Sequence, residues 1–156
     1  MKKPFDLGKV PFFMGLSRED IQLLSKKFTP ESFPNESVIF NQGDRANRLY
    51  ILLSGRVSIR FKPHDGEVLP VADISEGDVF GWSAALGREV YTSCAVTTTA
   101  CETLSMQGKD LRELCATNPE TGVLILERLA AVIAERLKNT HQKVVELLWQ
   151  GVNPHD

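Results

Sequence analysis

Cysteine, histidine and long apolar runs are all scarce in this chain of 156 residues. The three cysteines form no CxxC pair, so we expect free thiols in a reducing cytoplasm. The three histidines lie in a turn, a helix and the tail, and no two of them have the spacing of metal ligands. No glycine-flanked nucleophile elbow accompanies a histidine either. We therefore expect neither a metal centre nor an enzyme.

The chain also lacks a membrane segment and a large excess of one charge. No window approaches the roughly 18 apolar residues that a spanning helix needs. The first residues, MKKPFDLGKV, are too interrupted for a signal peptide. The net charge is −2, so no overall basic footprint favours nucleic acid. These absences predict a cytoplasmic protein with no membrane partner, and the length of the chain predicts one domain, residues 1–156.

The hydrophobic pattern divides the chain into three parts. Residues 10–33 read as an N-terminal helical segment, in which Ser17 is a helix N-cap and Asp20 a weak capping partner. Residues 34–107 hold short strand-like runs, separated by turn residues at intervals of roughly 8–12 residues. This spacing predicts an antiparallel sandwich or barrel. Residues 108–150 return to helical spacing, in one short helix and one long helix.

The long helix, predicted over residues 119–150, carries two apolar stripes. One repeats at 3-4 spacing over more than three heptads, as in helix pairs; this seam comprises Val123, Leu126, Ala130, Ile133, Leu137, Thr140, Val144 and Leu147. The other stripe, Ile125, Leu129 and Val132, stops before Arg136, and we expect it to pack on the strands. We predict a parallel homodimer through the seam; the alternative is a helix that lies only on its own domain.

The order of these motifs resembles the cyclic-nucleotide-binding domain family. The segments VPFFMGLSREDIQLL, FPNESVIFNQGDRANRLYILLSGRVSI, GDVFG and NPETGVLILERLAAVIAERLKNTHQKV span nearly all of residues 10–148. The sequence is most similar to the sensor half of bacterial catabolite-activator regulators and to single-domain relatives with FGWSAL-type cassettes. The resemblance implies a mainly β fold with α: an antiparallel β-roll (a double-stranded β-helix or jelly-roll barrel) with an N-terminal helical segment and C-terminal helices that include a long dimerisation helix.

Residues 77–96, GDVFGWSAALGREVYTSCAV, correspond to the phosphate-binding cassette of that family. Gly81 matches the family's glycine and Ser93 its serine. However, Trp82 stands where the family has a ribose-binding glutamate, and Thr92 stands where it has a phosphate-binding arginine. The long helix supplies a threonine that matches one reaching the adenine. The resemblance implies a ligand site that comprises Phe80, Gly81, Trp82, Ser83, Arg88, Thr92, Ser93 and Thr140.

The cassette sequence adds local expectations. A glycine turn followed by one turn of helix leaves N–H groups that attract an anion. Thr92, Cys94 and Val96 alternate along one strand, so we expect them to face the barrel interior. Arg88 either swings in to meet an anion or is solvated. Trp82 either fills the emptied pocket or offers a face on which a ring stacks.

The missing charges determine the functional prediction. A charge-assisted hydrogen bond contributes roughly 1.5–3 kcal/mol, so the loss of two would weaken binding by about 10²–10⁴. We predict a non-enzymatic regulatory sensor without a cofactor, which binds cAMP and cGMP poorly. Its ligand, which the sequence does not identify, is a cyclic nucleotide or another small anionic or ring-bearing molecule. The alternatives are a dimerisation or docking module with a self-filled pocket, serving an unknown protein partner, or the sensing part of a transcription regulator. The sequence stops six residues after Gln150 without a recognition helix, so no direct DNA binding is expected.

Overall fold

The computed structural model describes the backbone of residues 7–152, and all side chains in this range except those of residues 143, 147, 151 and 152. Two short 3-10 helices, Leu7–Lys9 and Pro11–Phe13, come first. The α-helices are α1, Arg18–Ser25; α2, Gly108–Thr117; and α3, Pro119–Val152. The strands are β1, Thr29–Phe33; β2, Val38–Phe40; β3, Arg48–Ser54; β4, Val57–Phe61; β5, Leu69–Ile74; β6, Val79–Phe80; β7, Cys94–Thr97; and β8, Cys101–Gln107.

The eight strands form two antiparallel sheets of four strands each. One sheet has the order β1–β8–β3–β6, and the other has the order β2–β7–β4–β5. All the strand pairs are antiparallel. This arrangement, with the helices at the two ends of the chain, confirms the predicted mainly β fold with α.

Strand β3 connects the two parts of the hydrophobic core. Its sequence, RLYILLS, is almost continuously apolar because the strand is buried on both faces. Tyr50 and Leu52 belong to the cluster between the sheets, whereas Leu49 and Ile51 belong to the cluster that includes the helices. A register slip of one residue would exchange these two sets, so the pattern determines the register of the strand.

Helix α1 begins where the sequence predicted. The backbone N–H of Asp20 donates to the Ser17 side chain at 3.1 Å, which confirms Ser17 as the N-cap. The Thr121 hydroxyl donates to the Asp20 carboxylate at 2.5 Å. The first turn of α1 is therefore joined to the first turn of α3.

The predicted boundary between the helical segment and the roll at residue 33 is wrong. Thr29–Phe33 is already a strand and pairs with β8. Strand β1 contains Pro30, and proline inside a segment argues against a strand because it is unusual inside a sheet. The exception is an edge strand, and β1 lies at the edge of its sheet.

The C-terminal helices follow the prediction within two residues at each end. A Cβ added at Gly122 would lie 2.6 Å from the Cys115 Cα, so glycine here allows α2 and α3 to pack closely. Ile125 and Leu129 are buried in the core, and Val132 packs against it. The prediction that this stripe packs on the domain is thus confirmed.

Candidate ligand cassette

The cassette begins at Gly81, directly after β6. Gly81 has φ +74°, a conformation that favours glycine. A Cβ at this position would lie 3.1 Å from the Arg48 carbonyl oxygen and 3.2 Å from Tyr50 Cδ2. The turn therefore depends on glycine for its backbone conformation and for its close approach to β3.

The chain after Gly81 forms hydrogen-bonded turns, and the expected turn of regular helix is not formed. The N–H groups of Ala85 and Leu86 donate to the Trp82 carbonyl at 2.9 and 3.1 Å, and that of Arg88 donates to the Ser83 carbonyl at 3.0 Å. The macrodipole of a helix requires several aligned peptide units. This segment consequently offers no helix N-terminus to an anion.

Four aromatic rings fill the barrel beneath the cassette. Phe40 stacks on Tyr91 with ring centroids 3.8 Å apart, and Tyr50 stacks on Phe80 at 5.2 Å. The Tyr91 hydroxyl donates to the Arg48 carbonyl oxygen at 2.6 Å and accepts from the Arg48 N–H at 3.0 Å. Burial raises the pKa of both tyrosines above the usual range. The barrel interior is therefore closely packed under the site.

The space that remains at the cassette is small. A cavity of about 50 Å³ lies there, whereas small-molecule sites usually have roughly 300 Å³ or more. Six of the eight predicted ligand residues line it: Phe80, Gly81, Trp82, Ser83, Thr92 and Ser93. The structure thus brings most of the predicted site together around a space smaller than a nucleotide.

Two predicted ligand residues do not line this cavity. Arg88 is exposed on the cassette loop, where its backbone N–H donates to the Ser83 carbonyl oxygen. Thr140 is half-buried on α3, one turn beyond the residue that does reach the cavity. Of the two alternatives for Arg88, the structure therefore shows the solvated one.

Arg136, on α3, lines the cavity and was absent from the predicted site. Its Cζ atom lies 4.7 Å from the centroid of the Trp82 ring, and its NH2 group donates to the Val79 carbonyl oxygen at 3.5 Å. Burial lowers the pKa of Arg136, and the nearby Asp78 opposes this shift. Of the two alternatives for Trp82, the structure shows the one in which the ring fills space: it packs against the core cluster that includes the helices, and the Arg136 guanidinium lies over it.

The sequence did contain a signal for Arg136. Ile125, Leu129 and Val132 continue to residue 136 with the same 4-3-4 spacing. The second stripe therefore extends one position further, with a guanidinium in place of an apolar side chain. Arginine can occupy such a position because its stem packs against apolar surface while its planar head stacks on an aromatic ring.

The prediction that Thr92, Cys94 and Val96 face the interior is wrong. The buried positions of β7 are Ala95 and Thr97, whereas Cys94 and Val96 are half-buried. Thr92 is exposed at the rim, even though it lines the cavity. Residues 92 and 93 form a bend before the strand, so the alternation starts only at Cys94, and within β7 the opposite parity, Ala95 and Thr97, is the buried one.

The seam on α3 is open along much of its length. Leu126, Leu137 and Val144 are 40%, 65% and 48% exposed. Ala130 and Val123 are also exposed, whereas Ile133 and Thr140 are half-buried. The side chain of Leu147, the last predicted member, lies outside the described residues. Within one protomer, therefore, much of the seam is left uncovered, although Ile133 packs against the core.

Features of other site types are missing from the part of the chain that the structure describes. Within residues 7–152, no helix combines the length and the apolar character that crossing a bilayer requires. No group of three or more His, Cys, Asp and Glu side chains in that range is arranged to hold a metal ion. The thiols of Cys94, Cys101 and Cys115 are all free.

The sequence comparisons point to one family. A family model for the cyclic nucleotide-binding domain matches residues 30–118. A CRP-like cAMP-activated global transcriptional regulator from Mycobacterium tuberculosis is 32% identical over 146 residues. That match covers 94% of this chain and 63% of the relative, so the chain spans less than two thirds of the relative's length.

Solved structures agree with this assignment. A protein from Geobacter metallireducens, classed with cyclic nucleotide-binding proteins, superposes with a TM-score of 0.76 at 29% identity, covering 88% of this chain and 99% of its own. The Thermus thermophilus catabolite activator protein gives a TM-score of 0.73 at 28% identity, covering 90% and 64%. From the family model, the curated relative and the shared fold, we conclude that this chain belongs to the cyclic nucleotide-binding domain family.

Proposed function

We propose that the chain is a non-enzymatic regulatory module of the cyclic-nucleotide-binding type whose cassette does not hold cAMP or cGMP tightly. The observation that carries this proposal is that the cassette lacks both charged contacts and has little free space. Trp82 and Thr92 stand where the family pattern has the two charged ligand contacts, and the remaining cavity has about 50 Å³. A nucleotide would have to displace both the Trp82 ring and the Arg136 guanidinium that covers it.

The energetic argument supports weak binding. Each missing charge-assisted hydrogen bond is worth roughly 1.5–3 kcal/mol. Separating the half-buried Arg136–Trp82 pair adds a further cost of about 1–2 kcal/mol. Together these terms remove enough affinity to make a micromolar binder ineffective.

The relatives suggest the context in which such a module acts. The M. tuberculosis relative is a cAMP-activated transcriptional regulator, and its match to this chain covers only 63% of it. We propose that the present chain provides the regulatory domain of such a system, in the cytoplasm. A docking module with a self-filled pocket is the second candidate, and the Trp82 ring under Arg136 is the observation that favours it.

We further propose that two chains associate through α3. The exposed seam residues Leu126, Leu137 and Val144 have the spacing of a helix pair, while Ile125 and Leu129 are already buried in the protomer. Burial of large apolar side chains is the main source of affinity in such an interface. A homodimer would cover this face.

A small anion could still enter the cassette weakly. Ser83, Thr92 and Ser93, which carry hydroxyl groups, and Arg136, which carries a guanidinium, all line the cavity. Phosphate titration followed by backbone amide NMR tests this, with the Arg136→Met variant as the control. Shifts confined to residues 80–84 and 92–93, and lost in that variant, would support a ligand-sensing role over the docking role.

The test of the main proposal is calorimetric titration of the unmodified protein with cAMP and with cGMP. We expect dissociation constants weaker than about 100 µM, given the contacts that are missing. The matched variant is Trp82→Glu with Thr92→Arg, which supplies both charges and removes the ring. It is expected to bind cAMP at least about tenfold more tightly. A low-micromolar constant for the unmodified protein would refute the proposal.

A further inference from the structure

Arg136 occupies a special place along α3. On its N-terminal side, Ile125 and Leu129 anchor the helix in the core. On its C-terminal side, Leu137 and Val144 are exposed. Arg136 lies between these two stretches, and it is the α3 residue that lines the cassette cavity.

The contact itself has the geometry of a cation–π pair. The guanidinium carbon lies 4.7 Å from the Trp82 ring centroid, within the roughly 6 Å over which such pairs attract. The same guanidinium reaches the Val79 carbonyl at the end of β6. One side chain thus touches both the strand that leads into the cassette and the first side chain after Gly81.

The position of the pair also accounts for the small cavity. Trp82 lines it from the cassette, and Arg136 lines it from the helix. Both residues border the cavity, so truncation of either side chain would enlarge it. A ligand that needs more than this space has to displace lining side chains, and the Arg136–Trp82 pair joins the helix to the cassette there.

We propose that Arg136 and Trp82 together determine what the cassette accepts, and that Arg136 is the positioning residue that holds α3 on the cassette without a ligand. This inference rests on the proposed function in one respect, namely that the cassette is closed in the absence of nucleotide. The class of ligand that could open it is an anion carrying a flat ring. Such a ligand would give the guanidinium a new partner while it replaces the indole.

The experiment is a double-mutant cycle on the full chain. Unfolding by urea is measured at one fixed protomer concentration for the unmodified protein, Trp82→Leu, Arg136→Met and the double variant. If the pair is coupled, the unfolding equilibrium constants depart from independence by about 5- to 30-fold. Agreement with independence within about twofold would overturn the proposal.

Lys138→Met is the matched control, because Lys138 is an exposed cation two residues further along the same helix. Its cycle with Trp82→Leu should be independent within about twofold. Coupling of the same size in both cycles would overturn the proposal, because it would reflect only the loss of a charge. If Trp82→Leu does not fold, Trp82→Met, which also lacks an aromatic ring, replaces it in both cycles with the same criteria.

Hydrogen exchange provides a local readout. Arg136→Met should accelerate amide exchange in residues 133–142 by about 5- to 30-fold, with little change in β3 or β8. Lys138→Met should leave exchange there unchanged. Uniform acceleration over the whole chain would overturn the positioning role. Tight cAMP binding by the unmodified protein would refute the proposed function but would leave the measured coupling intact, so the two failures are distinguishable.

Discussion

The Tyr91 hydroxyl binds both backbone polar groups of one residue, Arg48. It donates to the Arg48 carbonyl oxygen at 2.6 Å and accepts from the Arg48 N–H at 3.0 Å. This pair closes the loop from Gly81 to Tyr91 onto the start of β3. The Tyr91 side chain thereby makes the two backbone hydrogen bonds that a neighbouring strand would otherwise make with Arg48.

The first prediction follows from this pair. Tyr91→Phe should destabilise the protein by about 1–3 kcal/mol, because both Arg48 backbone groups lose their partner. Urea unfolding monitored by circular dichroism measures the change. Tyr91→Leu is the comparison, since it also removes the stacking on Phe40 and should cost more. Equal stability of Tyr91→Phe and the unmodified protein would show that water replaces the hydroxyl fully.

Alkaline pH should weaken the fold through the buried tyrosines. Burial raises the pKa of Tyr91 above its ordinary value of 10.0, and it raises that of Tyr50 further. The folded protein therefore holds these protons more tightly than the unfolded chain does. The resulting stability is complete below about pH 10 and is lost as the pH rises above it, by up to about 1.4 kcal/mol per pH unit for each group.

Unfolding curves between about pH 9 and pH 12 measure this loss against the ordinary tyrosine value. The double variant Tyr50→Phe, Tyr91→Phe is the control and should show a shallower decline. A decline of the same steepness in that variant would assign the effect to other groups.

The sequence predicted the regular elements well because their signals are local. Ser17 acts as the predicted N-cap, and the stripe of Ile125 and Leu129 packs where its helical spacing indicated. Such features depend on neighbours within one or two turns of the chain. The error at β1 has the opposite origin, because Pro30 is tolerated only through its position at a sheet edge, which is a property of the whole sheet.

The interior of the candidate site could not be predicted in the same way. The Arg136–Trp82 contact joins residues that are far apart in sequence, and the Tyr91–Arg48 pair does the same. The resemblance to the family predicted the cassette and the two charged contacts that it lacks. It could not show that a cation from α3 and a stack of aromatic rings occupy the space, because those contacts depend on how the helix and the sheets pack together.

Two glycines in the cassette allow the cost of backbone strain to be measured separately from the cost of steric crowding by an added Cβ. Gly81 and Gly87 both have φ +74°, but only at Gly81 would an added Cβ meet heavy atoms within 4 Å, the nearest at 3.1 Å. Gly87→Ala should cost about 1 kcal/mol from backbone strain alone. Gly81→Ala should cost about 1–2 kcal/mol more, since the Cβ presses on β3. Thermal unfolding of the two variants measures the difference, and equal costs would contradict the crowding argument.

The last prediction concerns association through α3. Leu137→Asp should weaken self-association by about tenfold or more, because the proposed interface would bury a carboxylate without a partner. Leu137 is a sharper probe than Ile133, which is half-buried and packs against its own core, so that a charge there would also damage the fold. Light scattering over a range of concentrations should find a dimer for the unmodified protein and a monomer for Leu137→Asp, each with unchanged circular dichroism.

Gln142→Asp, an exposed position off the seam, is the matched control and should remain dimeric. A monomer in the unmodified protein would show that the open seam serves another partner, and a dimer that survives Leu137→Asp would place the interface on a different face.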